Sequence, residues 1–319
     1  MKIIVAILLL LVPLTAAAQD TLTLAWWNVE NYFDPTDDPS KADDDFTPSG
    51  AYHWTRHKMA AKRDSIFKVV AAMGCPDVVG LAEIEGAEPL RELCLGTPLR
   101  KLGYSYLAPT LTDRRGIGCA LVYRASRLAI DTAYEPPSPL PRPMIVAVGH
   151  TTSGNSLAIV LCHWPSRRND DSLRLQAAKL LNAEVDNLRC THPATTIVVM
   201  GDLNCEATER PIADILGLHN GQRADGAELL TQRLPSDQHS YYYRGYWSTL
   251  DHAILYPSAN GNKAQIADYQ VFRPSFLFTE YPTRAGRQIF RTHYGRKYRG
   301  GFSDHLPLRL TLDLANPKQ

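Results

Sequence analysis

The chain has no marked excess of charge of either sign. Its 34 lysines and arginines face 33 aspartates and glutamates, which gives a formal net charge of +1 at pH 7. A protein that attracts a polyanion through its overall electric field needs a clear positive excess. That mode of binding is therefore excluded, and any anionic partner must be recognised by a local group of cations.

The chain also lacks an apolar run of the roughly 20 residues that a membrane-spanning helix needs. The run at residues 3–14 is shorter, follows the positive Lys2, and precedes the small residues Ala16, Ala17 and Ala18. This order is typical of a cleaved export signal. We predict that residues 1–18 are a signal peptide and that the mature protein is secreted or periplasmic, without a stable membrane anchor. An uncleaved anchor is the alternative.

Cysteine is scarce, with six residues in the chain, and their spacings match no zinc-binding pattern. In an exported protein these cysteines could form disulfides, whose connectivity the sequence does not determine. Cys119 and Cys162 lie in apolar, strand-like runs, where a free thiol packs as a small hydrophobic group. We therefore expect one or two disulfides at most.

Internal repeats and low-complexity linkers are absent, so residues 19–319 are predicted to form one domain, which we expect to be a monomer. Short runs rich in apolar or β-branched residues predict strands at residues 21–29, 77–84, 119–123, 144–150, 157–164, 196–200, 249–256 and 306–312. Apolar residues at helical spacing predict helices at residues 58–73 and 172–188. Strands that follow strands, mixed with long helices, favour α+β or mixed α/β layers over an alternating barrel.

Six polar residues stand at the ends of predicted strands. Asn28, Glu83, His163 and Asp202 lie where an apolar run ends, and Asp251 and His305 lie at or just before the start of one. If the two groups of strands run in opposite directions, all six residues meet at one edge of the sheets. Rigid strands would then hold a catalytic site at that edge.

Six short motifs follow one another along the chain. They lie at residues 27–31, 80–84, 163–166, 201–204, 249–252 and 303–307, and read Trp-Asn-Val-Glu-Asn, Gly-Leu-Ala-Glu-Ile, His-Trp-Pro-Ser, Gly-Asp-Leu-Asn, Thr-Leu-Asp-His and Ser-Asp-His-Leu-Pro. Each is weak alone, but in this order they resemble the motif series of the endonuclease/exonuclease/phosphatase family. The resemblance implies the deoxyribonuclease-I-like fold, a four-layer α/β sandwich in which two mixed β-sheets pack face to face with helices outside. It also implies metal-dependent hydrolysis of phosphodiesters.

The resemblance implies that Asn28, Glu83 and Asp304 bind the metal ion, Mg²⁺ or Mn²⁺. Such hard cations prefer oxygen ligands, which these three side chains supply. Ala82 stands where the family often has glutamine before the metal-binding glutamate, so a supporting hydrogen bond is in doubt. Glu85, two residues further along the same predicted strand face, is the alternative ligand.

The same resemblance implies which groups act on the water and the phosphate. Asp202 with Asn204 matches the position that orients or deprotonates the attacking water, although these two residues could equally form an Asx turn. His163 and His305 match the two histidines that flank the scissile phosphate, and Asp251 matches the carboxylate that orients His305. The sequence identifies no carboxylate partner for His163, so its role as an acid or as a hydrogen-bond donor stays open.

Local groups of arginine and aromatic residues favour nucleic acid or a nucleotide as the substrate. Arg167 and Arg168, which we predict to bind substrate, follow the third motif, and tyrosines surround an arginine in residues 241–247. The segment 284–299 contains no acidic residue and ends with three cations that we predict to bind substrate, Arg296, Lys297 and Arg299. Arginines can hold phosphates and tyrosines can stack on bases. Alternatively, the tyrosines pack a strand face, and the basic segment pairs with the acidic residues 34–45 at the surface.

The sequence therefore predicts a secreted, divalent-metal-dependent phosphodiester hydrolase, a nuclease that acts on nucleic acid or nucleotides. One alternative is a lipid or inositol-phosphate phosphodiesterase or phosphatase of the same family, which should carry an exposed apolar loop near the site. Another is a binding module without catalytic activity, which would have no need for both histidines. The fold does not choose among these substrates.

Overall fold

The computed structural model describes residues 20–110, 112–260, 264–280 and 286–314. The predicted signal peptide, residues 1–18, lies outside this range, as does Arg284 of the basic segment. None of the helices in the described residues is long and apolar enough to cross a bilayer.

Two six-stranded mixed sheets form the framework of the described chain, with strands numbered in chain order. In spatial order the first sheet contains β13 (Gln265–Val271), β18 (Leu308–Leu314), β1 (Asp20–Tyr32), β2 (Val78–Glu85), β4 (Ile117–Arg124) and β3 (Tyr104–Leu107). The second contains β5 (Leu128–Tyr134), β6 (Ile145–Thr151), β7 (Ser156–His163), β8 (Thr196–Asp202), β12 (Asp251–Tyr256) and β9 (Glu228–Leu229). Three hairpins stand apart from them: β10 (Tyr241–Tyr243) with β11 (Tyr246–Ser248), β14 (Phe278–Glu280) with β15 (Arg287–Ile289), and β16 (His293–Tyr294) with β17 (Lys297–Tyr298).

The α-helices of the described residues are α1 (Arg56–Ala72), α2 (Glu88–Leu95) and α3 (Asp171–Thr191). Both predicted helices are present as α1 and α3, and side-chain caps decide where each begins. Thr55 accepts a hydrogen bond from the backbone of Lys58, and Asp170 accepts one from the backbone of Ser172. Short 3₁₀ or π segments lie at Asp44–Phe46, Pro98–Leu102, Pro211–Ile215, His219–Gly221, Leu230–Arg233 and Ser275–Leu277.

Alternating side chains on the central strands build two cores. On β7, Leu157, Ile159 and Leu161 belong to the core between the sheets, whereas the intervening residues join the core beneath α3. A Cβ atom at Gly80 of β2 would lie 2.6 Å from Leu161 Cδ2 of the facing sheet, so glycine allows the two sheets to approach closely here. The architecture is the predicted four-layer sandwich.

The strand directions bring the polar strand ends together. β1 runs parallel to β2, and β7 runs parallel to β8. β12 is antiparallel to β8, with Asp251 opposite Asp202, and β18 is antiparallel to β1. The carboxyl ends of four strands and the amino ends of two therefore meet at one edge, which confirms the arrangement predicted from the sequence.

Some elements have no clear signal in the sequence. The exposed or half-exposed edge strands β5 and β13 carry polar residues on both faces, and the short helix α2 contains only eight residues. All six cysteines are free thiols, so the structure contains none of the one or two disulfides that we expected at most. Cys119 and Cys162 are buried in the apolar cores, as their strand positions predict.

Candidate active site

A bulge in β2 brings Glu83 to the catalytic edge of the sheet. The pairing of β2 with both neighbours shifts register at this residue, whose backbone φ is 65°. A bulge interrupts the strict alternation of side chains along a strand. Glu83 Oε1 lies 4.0 Å from His163 Nε2, whereas Glu85 Oε2 accepts a hydrogen bond from the backbone of Asp34 at 2.7 Å. The expectation that Glu85 shares a face with Glu83 is therefore wrong, because the bulge separates the two carboxylates.

His305 and Asp251 form a buried pair. His305 Nδ1 donates to Asp251 Oδ2 at 2.7 Å, and the Trp26 indole donates to the other oxygen of Asp251 at 2.8 Å. The Trp27 indole donates to the backbone carbonyl of His305 at 2.9 Å. These contacts hold the imidazole so that Nε2 lies 3.7 Å from Asp202 Oδ2. The predicted orientation of His305 by Asp251 is thus present, and the two indoles come from Trp27 of the first motif and from Trp26, the residue before it.

Opposing effects set the protonation of this cluster. Burial would lower the pKa of His305, but the Asp251 and Asp202 carboxylates outweigh it and raise the pKa to about 10. Burial raises the pKa of Asp202 to about 7, although the His305 cation opposes the increase. Near neutral pH, His305 is therefore a proton donor, and Asp202 is poised between acid and base.

Two hydrogen bonds hold the Asp202 carboxylate in place. Its Oδ2 atom accepts a hydrogen bond from the Asn28 side chain at 3.1 Å, and its Oδ1 atom accepts one from the backbone of Asn204 at 3.0 Å. Asn204 has a φ of 50°, and its side chain donates to the Trp164 carbonyl at 3.1 Å. The Asx turn is therefore present, and it fixes the position of the Asp202 carboxylate.

His163 contacts an arginine that the sequence did not point to. Arg142 Nη1 lies 2.7 Å from His163 Nε2 and 3.1 Å from Nδ1, and Arg142 Nη2 donates to the Trp164 carbonyl at 3.1 Å. A guanidinium can only donate hydrogen bonds, so it requires an unprotonated ring nitrogen. Burial, reinforced by the Arg142 cation, holds the pKa of His163 well below its usual range. His163 is therefore suited to hydrogen bonding and not to acting as a general acid.

A buried ionic network links the first motif to the last one. Glu30 Oε1 accepts hydrogen bonds from Arg291 Nε at 3.0 Å and Nη2 at 2.9 Å, and its Oε2 accepts one from the backbone of Thr292 at 2.7 Å. Arg291 Nη2 also donates to Asp304 Oδ2 at 2.9 Å. Beneath them the buried Lys62 donates to Thr292 Oγ1 and to a backbone carbonyl. Glu30 lies within the first motif and Arg291 within the basic segment, but neither residue carries a local signal in the sequence that points to this contact.

This network leads to a prediction about stability. Replacing the buried Glu30 with alanine leaves the half-buried Arg291 with one carboxylate partner and removes the acceptor for the Thr292 backbone. We expect the free energy of unfolding in urea to fall by about 3–5 kcal/mol, as for other broken buried ion pairs. The exposed Glu88–Arg91 pair of α2 provides the control, because Glu88→Ala should cost less than about 1 kcal/mol. Equal losses in the two variants would contradict a stabilising role for the network.

The donor atoms at the edge of the sheet suit a hard cation. Glu83 and Asp304 each use one carboxylate oxygen within the protein, on the backbone of Asn31 and on Arg291 respectively. No described residue donates a hydrogen bond to the second oxygen of either carboxylate. Asn28 adds an amide oxygen nearby, which also accepts from the backbone of Glu30 at 3.1 Å. This all-oxygen set fits Mg²⁺ or Mn²⁺.

A second group of side chains also has the composition of a metal site. The possible ligand atoms of Asp202, Asp251 and His305 lie within 4.8 Å of one another. His305 Nδ1 and Asp251 Oδ2 already use each other as hydrogen-bond partners at 2.7 Å, and the surrounding carboxylates raise the pKa of the imidazole. We therefore interpret these three residues as the proton-transfer group of the site.

The structure separates the predicted substrate-binding cations. Arg168 lies between two pockets, one of about 390 Å³ that reaches Asp304 and one of about 310 Å³ that reaches Asn204. Arg167 lines the second pocket and pairs with Glu209. The cations Arg296, Lys297 and Arg299 are exposed on the β16–β17 hairpin and are not among the residues that line the two pockets.

Comparisons with known proteins agree with this geometry. The sequence model of the Endonuclease/Exonuclease/phosphatase family matches residues 23–314. No curated protein matches the chain. Similar solved structures include the Bacteroides thetaiotaomicron mannosyl-6-phosphatase Bt3783, with 17% identity, a TM-score of 0.60, and coverage of 91% of this chain and 99% of that one.

Two animal proteins are similar to the same extent. D. rerio TDP2, complexed with a single-strand DNA product, has 15% identity and a TM-score of 0.62, with coverage of 92% of this chain and 98% of that one. The human Nocturnin catalytic domain with bound sulfate has 17% identity and a TM-score of 0.60, with coverage of 93% and 96%. Identities this low establish a shared fold and leave the substrate open.

Proposed function

Because the chain belongs to the endonuclease/exonuclease/phosphatase family, a family of phosphoesterases, we propose that it is a divalent-metal-dependent phosphodiesterase that acts on nucleic acid or nucleotides. The observation that carries this proposal is the juxtaposition of a charged His305–Asp251 pair with Asp202. Glu83 lies beside the same cluster, 4.0 Å from His163. Together these residues supply a proton donor, a proton acceptor and oxygen ligands at one edge of the sheets.

The protein residues would divide the reaction between them. Asp202 would accept a proton from the attacking water, because its raised pKa makes it a usable base near neutral pH. His305 would donate a hydrogen bond or a proton to the phosphate from Nε2, while Asp251 keeps the ring in place. Asn28, Glu83 and Asp304 would hold the metal ion, which when bound neutralises charge on the phosphate.

His163 and Arg142 form the opposite side of this arrangement. The His163 ring is neutral, and Arg142 carries a positive charge that forms no ion pair with any carboxylate of the described residues. An anionic phosphate would supply the missing counter-charge, since buried cations are stable only when they are paired. The pair would therefore bind and orient phosphate oxygens without transferring a proton.

The preference for a nucleic-acid or nucleotide substrate rests on aromatic side chains. Three of the exposed large side chains in the described residues line the two pockets, and all three are tyrosines: Tyr243, Tyr246 and Tyr294. Tyrosine can stack on a base, whereas a lipid substrate would favour exposed aliphatic residues at the cleft. The complex of D. rerio TDP2 with a single-strand DNA product shows that this fold can accommodate nucleic acid.

A substrate panel tests the proposal. The purified protein is incubated with Mg²⁺ or Mn²⁺ and, separately, with single- and double-stranded DNA, RNA, a phosphoinositide, sphingomyelin and mannose 6-phosphate. The His305→Ala variant, purified in parallel, controls for contaminating nucleases. We expect turnover of a nucleic acid. Turnover confined to the lipids or to the sugar phosphate would contradict the substrate assignment, and no turnover of any substrate would contradict catalysis.

The cellular location is a further part of the proposal. We propose that residues 1–18 direct export and are removed, which would leave one catalytic domain of residues 19–319 outside the cytoplasm. Amino-terminal sequencing of the exported protein should begin at Gln19. If the protein stays in the cytoplasmic fraction with residues 1–18 intact, the proposed export is contradicted, whereas the proposed activity is not affected.

The basic hairpin β16–β17 leads to a prediction about polynucleotides. Replacing Arg296, Lys297 and Arg299 with serine removes exposed charges that could contact phosphates along a polymer. We expect KM for a polynucleotide to rise several-fold and its dependence on salt to weaken, because fewer counterions are released on binding. KM for a small chromogenic diester should change little.

A control variant addresses the general loss of positive charge. Arg100→Ser with Lys101→Ser removes two exposed cations that line neither pocket. The same change in KM in this variant would show that the hairpin has no specific role. An equal rise in KM for the polynucleotide and for the small diester would instead show that the hairpin supports the catalytic site itself.

A further inference from the structure

The cleft extends beyond the catalytic cluster into a pocket with aromatic walls, which we call the tyrosine pocket. Its volume is about 390 Å³, and Asp304 lies at one end. The β10–β11 hairpin contributes Tyr243 and Arg244, and the β16–β17 hairpin contributes Tyr294. This volume falls within the range of about 300–1,000 Å³ that is usual for small-molecule sites.

The aromatic rings of this pocket are unusually accessible. Tyr243 is 39% exposed and Tyr294 is 37% exposed, although both lie on hairpins within a well-packed protein. Neighbouring groups hold Tyr243 in place, because the Tyr241 ring is nearly parallel to it and the Arg244 guanidinium lies 5.2 Å from its centroid. When an accessible ring is already held in place by its neighbours, a flat ligand can stack on it with little loss of side-chain entropy.

The cations that line the pocket differ in how they are paired. The Arg291 guanidinium is paired with Glu30 and Asp304, at 2.9 Å from each. Arg168 and Arg244 form no ion pair with a described carboxylate, so both can contact a phosphate. The pocket therefore combines unpaired cations with aromatic side chains that suit a flat, uncharged ring. A nucleoside joined to a phosphate carries both groups.

A second pocket lies on the other side of the same hairpin. It has a volume of about 310 Å³, reaches Asn204, and shares Tyr243 and Arg168 with the tyrosine pocket. Each pocket therefore borders a residue that we propose for the site, Asp304 in one pocket and Asn204 in the other. A phosphate between them could carry an organic group on each side, as in a diester, whereas a monoester would leave one pocket empty.

From these observations we infer that the tyrosine pocket binds a nucleoside attached to the scissile phosphate, with the base stacked on Tyr243 or Tyr294. This inference rests on the proposed phosphodiesterase activity and adds to it a specific subsite. It identifies the substrate as a phosphodiester with at least one nucleoside, and it assigns base stacking to two residues outside the catalytic motifs.

Three esters with the same leaving group test the inference. Thymidine 5′-(p-nitrophenyl phosphate), its 3′ isomer and methyl p-nitrophenyl phosphate all release p-nitrophenolate and differ in the second group. We expect kcat/KM to be about 10-fold or more higher for at least one thymidine ester than for the methyl ester, which is the usual effect of stacking one base. Tyr243→Ala and Tyr294→Ala together should bring this ratio close to one, and phenylalanine at both positions should preserve it.

A matched control and a binding measurement complete the test. Tyr134 is 37% exposed on β5 and lines neither pocket, so Tyr134→Ala should leave the ratio unchanged. Thymidine 5′-monophosphate should bind the metal-free protein in EDTA, measured by calorimetry, and should bind the double tyrosine-to-alanine variant about 10-fold more weakly. Glucose 6-phosphate is the competing ligand, and it should bind more weakly than the nucleotide.

The outcomes separate this inference from the proposed function. A ratio near one in the unmodified protein, or a ratio unaffected by the tyrosine substitutions, would overturn the nucleoside subsite while leaving phosphodiesterase activity intact. Tighter binding of the hexose phosphate would reassign the pocket to a sugar. Absence of turnover on all three esters would contradict the proposed function, and the calorimetric comparison would then still decide the pocket, because it requires no catalysis.

Discussion

Replacing His305 with alanine is expected to lower kcat by about 10²-fold or more without unfolding the protein. His305 Nε2 lies 3.7 Å from Asp202 Oδ2, and the raised pKa of the imidazole keeps a proton on the ring. Asp202→Ala should have a similar effect, since it removes the base. The measurement is single-turnover kinetics on a diester, with circular dichroism to establish that both variants fold. Near-normal turnover in both variants would exclude the proposed mechanism.

The Asp251–His305 pair allows a sharper form of this prediction. Asp251→Asn should lower kcat less than His305→Ala does, because it disturbs the orientation of the ring but leaves the ring in place. In the double variant the loss should equal that of His305→Ala alone, since residues that act as a unit are not additive. Fully additive losses would show that the two residues contribute independently.

The same pair predicts a dependence of stability on pH. The folded pKa of His305 is raised to about 10 from an ordinary value of 6.5, so the protonated ring stabilises the folded state. This contribution is fully present below pH 6.5 and is lost as the pH rises through about 10. The loss of unfolding free energy in Asp251→Asn should therefore be larger at pH 6 than at pH 10. An equal loss of unfolding free energy at pH 6 and at pH 10 would mean that Asp251 does not stabilise a charged His305 imidazole.

Removal of divalent metal ions is expected to abolish turnover, and addition of Mg²⁺ or Mn²⁺ should restore it. The ligand atoms proposed from Asn28, Glu83 and Asp304 are all oxygens, which favour these hard cations. Phosphate hydrolysis depends on such an ion to neutralise charge in the transition state. The measurement is the initial rate after treatment with EDTA and dialysis, followed by titration of each metal. Undiminished turnover after chelation would exclude metal dependence.

Two glutamates on the same strand provide the matched comparison for this prediction. Glu83→Gln removes the carboxylate beside His163 and should raise the metal concentration needed for half-maximal activity at least about 10-fold. Glu85→Gln removes a carboxylate that the Asp34 backbone holds away from the site, so its metal requirement should match that of the unmodified protein. If Glu85→Gln raised the metal requirement and Glu83→Gln did not, Glu85 would be the metal ligand.

Local patterns and short motifs in the sequence were enough to predict the layered fold and the pairing of Asp251 with His305. Apolar runs located the central strands of both sheets, and polar residues at their ends predicted the edge where the site forms. This works because side-chain alternation and strand boundaries are local properties of the chain. The pairing of Asp251 with His305 followed from family motifs, and the contact at 2.7 Å agrees with it.

Contacts between distant segments determine which carboxylate lies beside His163 and which cations surround the site. The bulge that separates Glu83 from Glu85 depends on how β2 pairs with its two neighbours, which no stretch of β2 reveals alone. Glu30 and Arg291 are 261 residues apart in sequence, and Arg142 reaches His163 from a loop without periodic pattern. Buried charges are stable only with partners, and long-range folding supplies those partners. Local patterns therefore predict the strands and their ends, whereas the electrostatics of the site arise from contacts between distant segments.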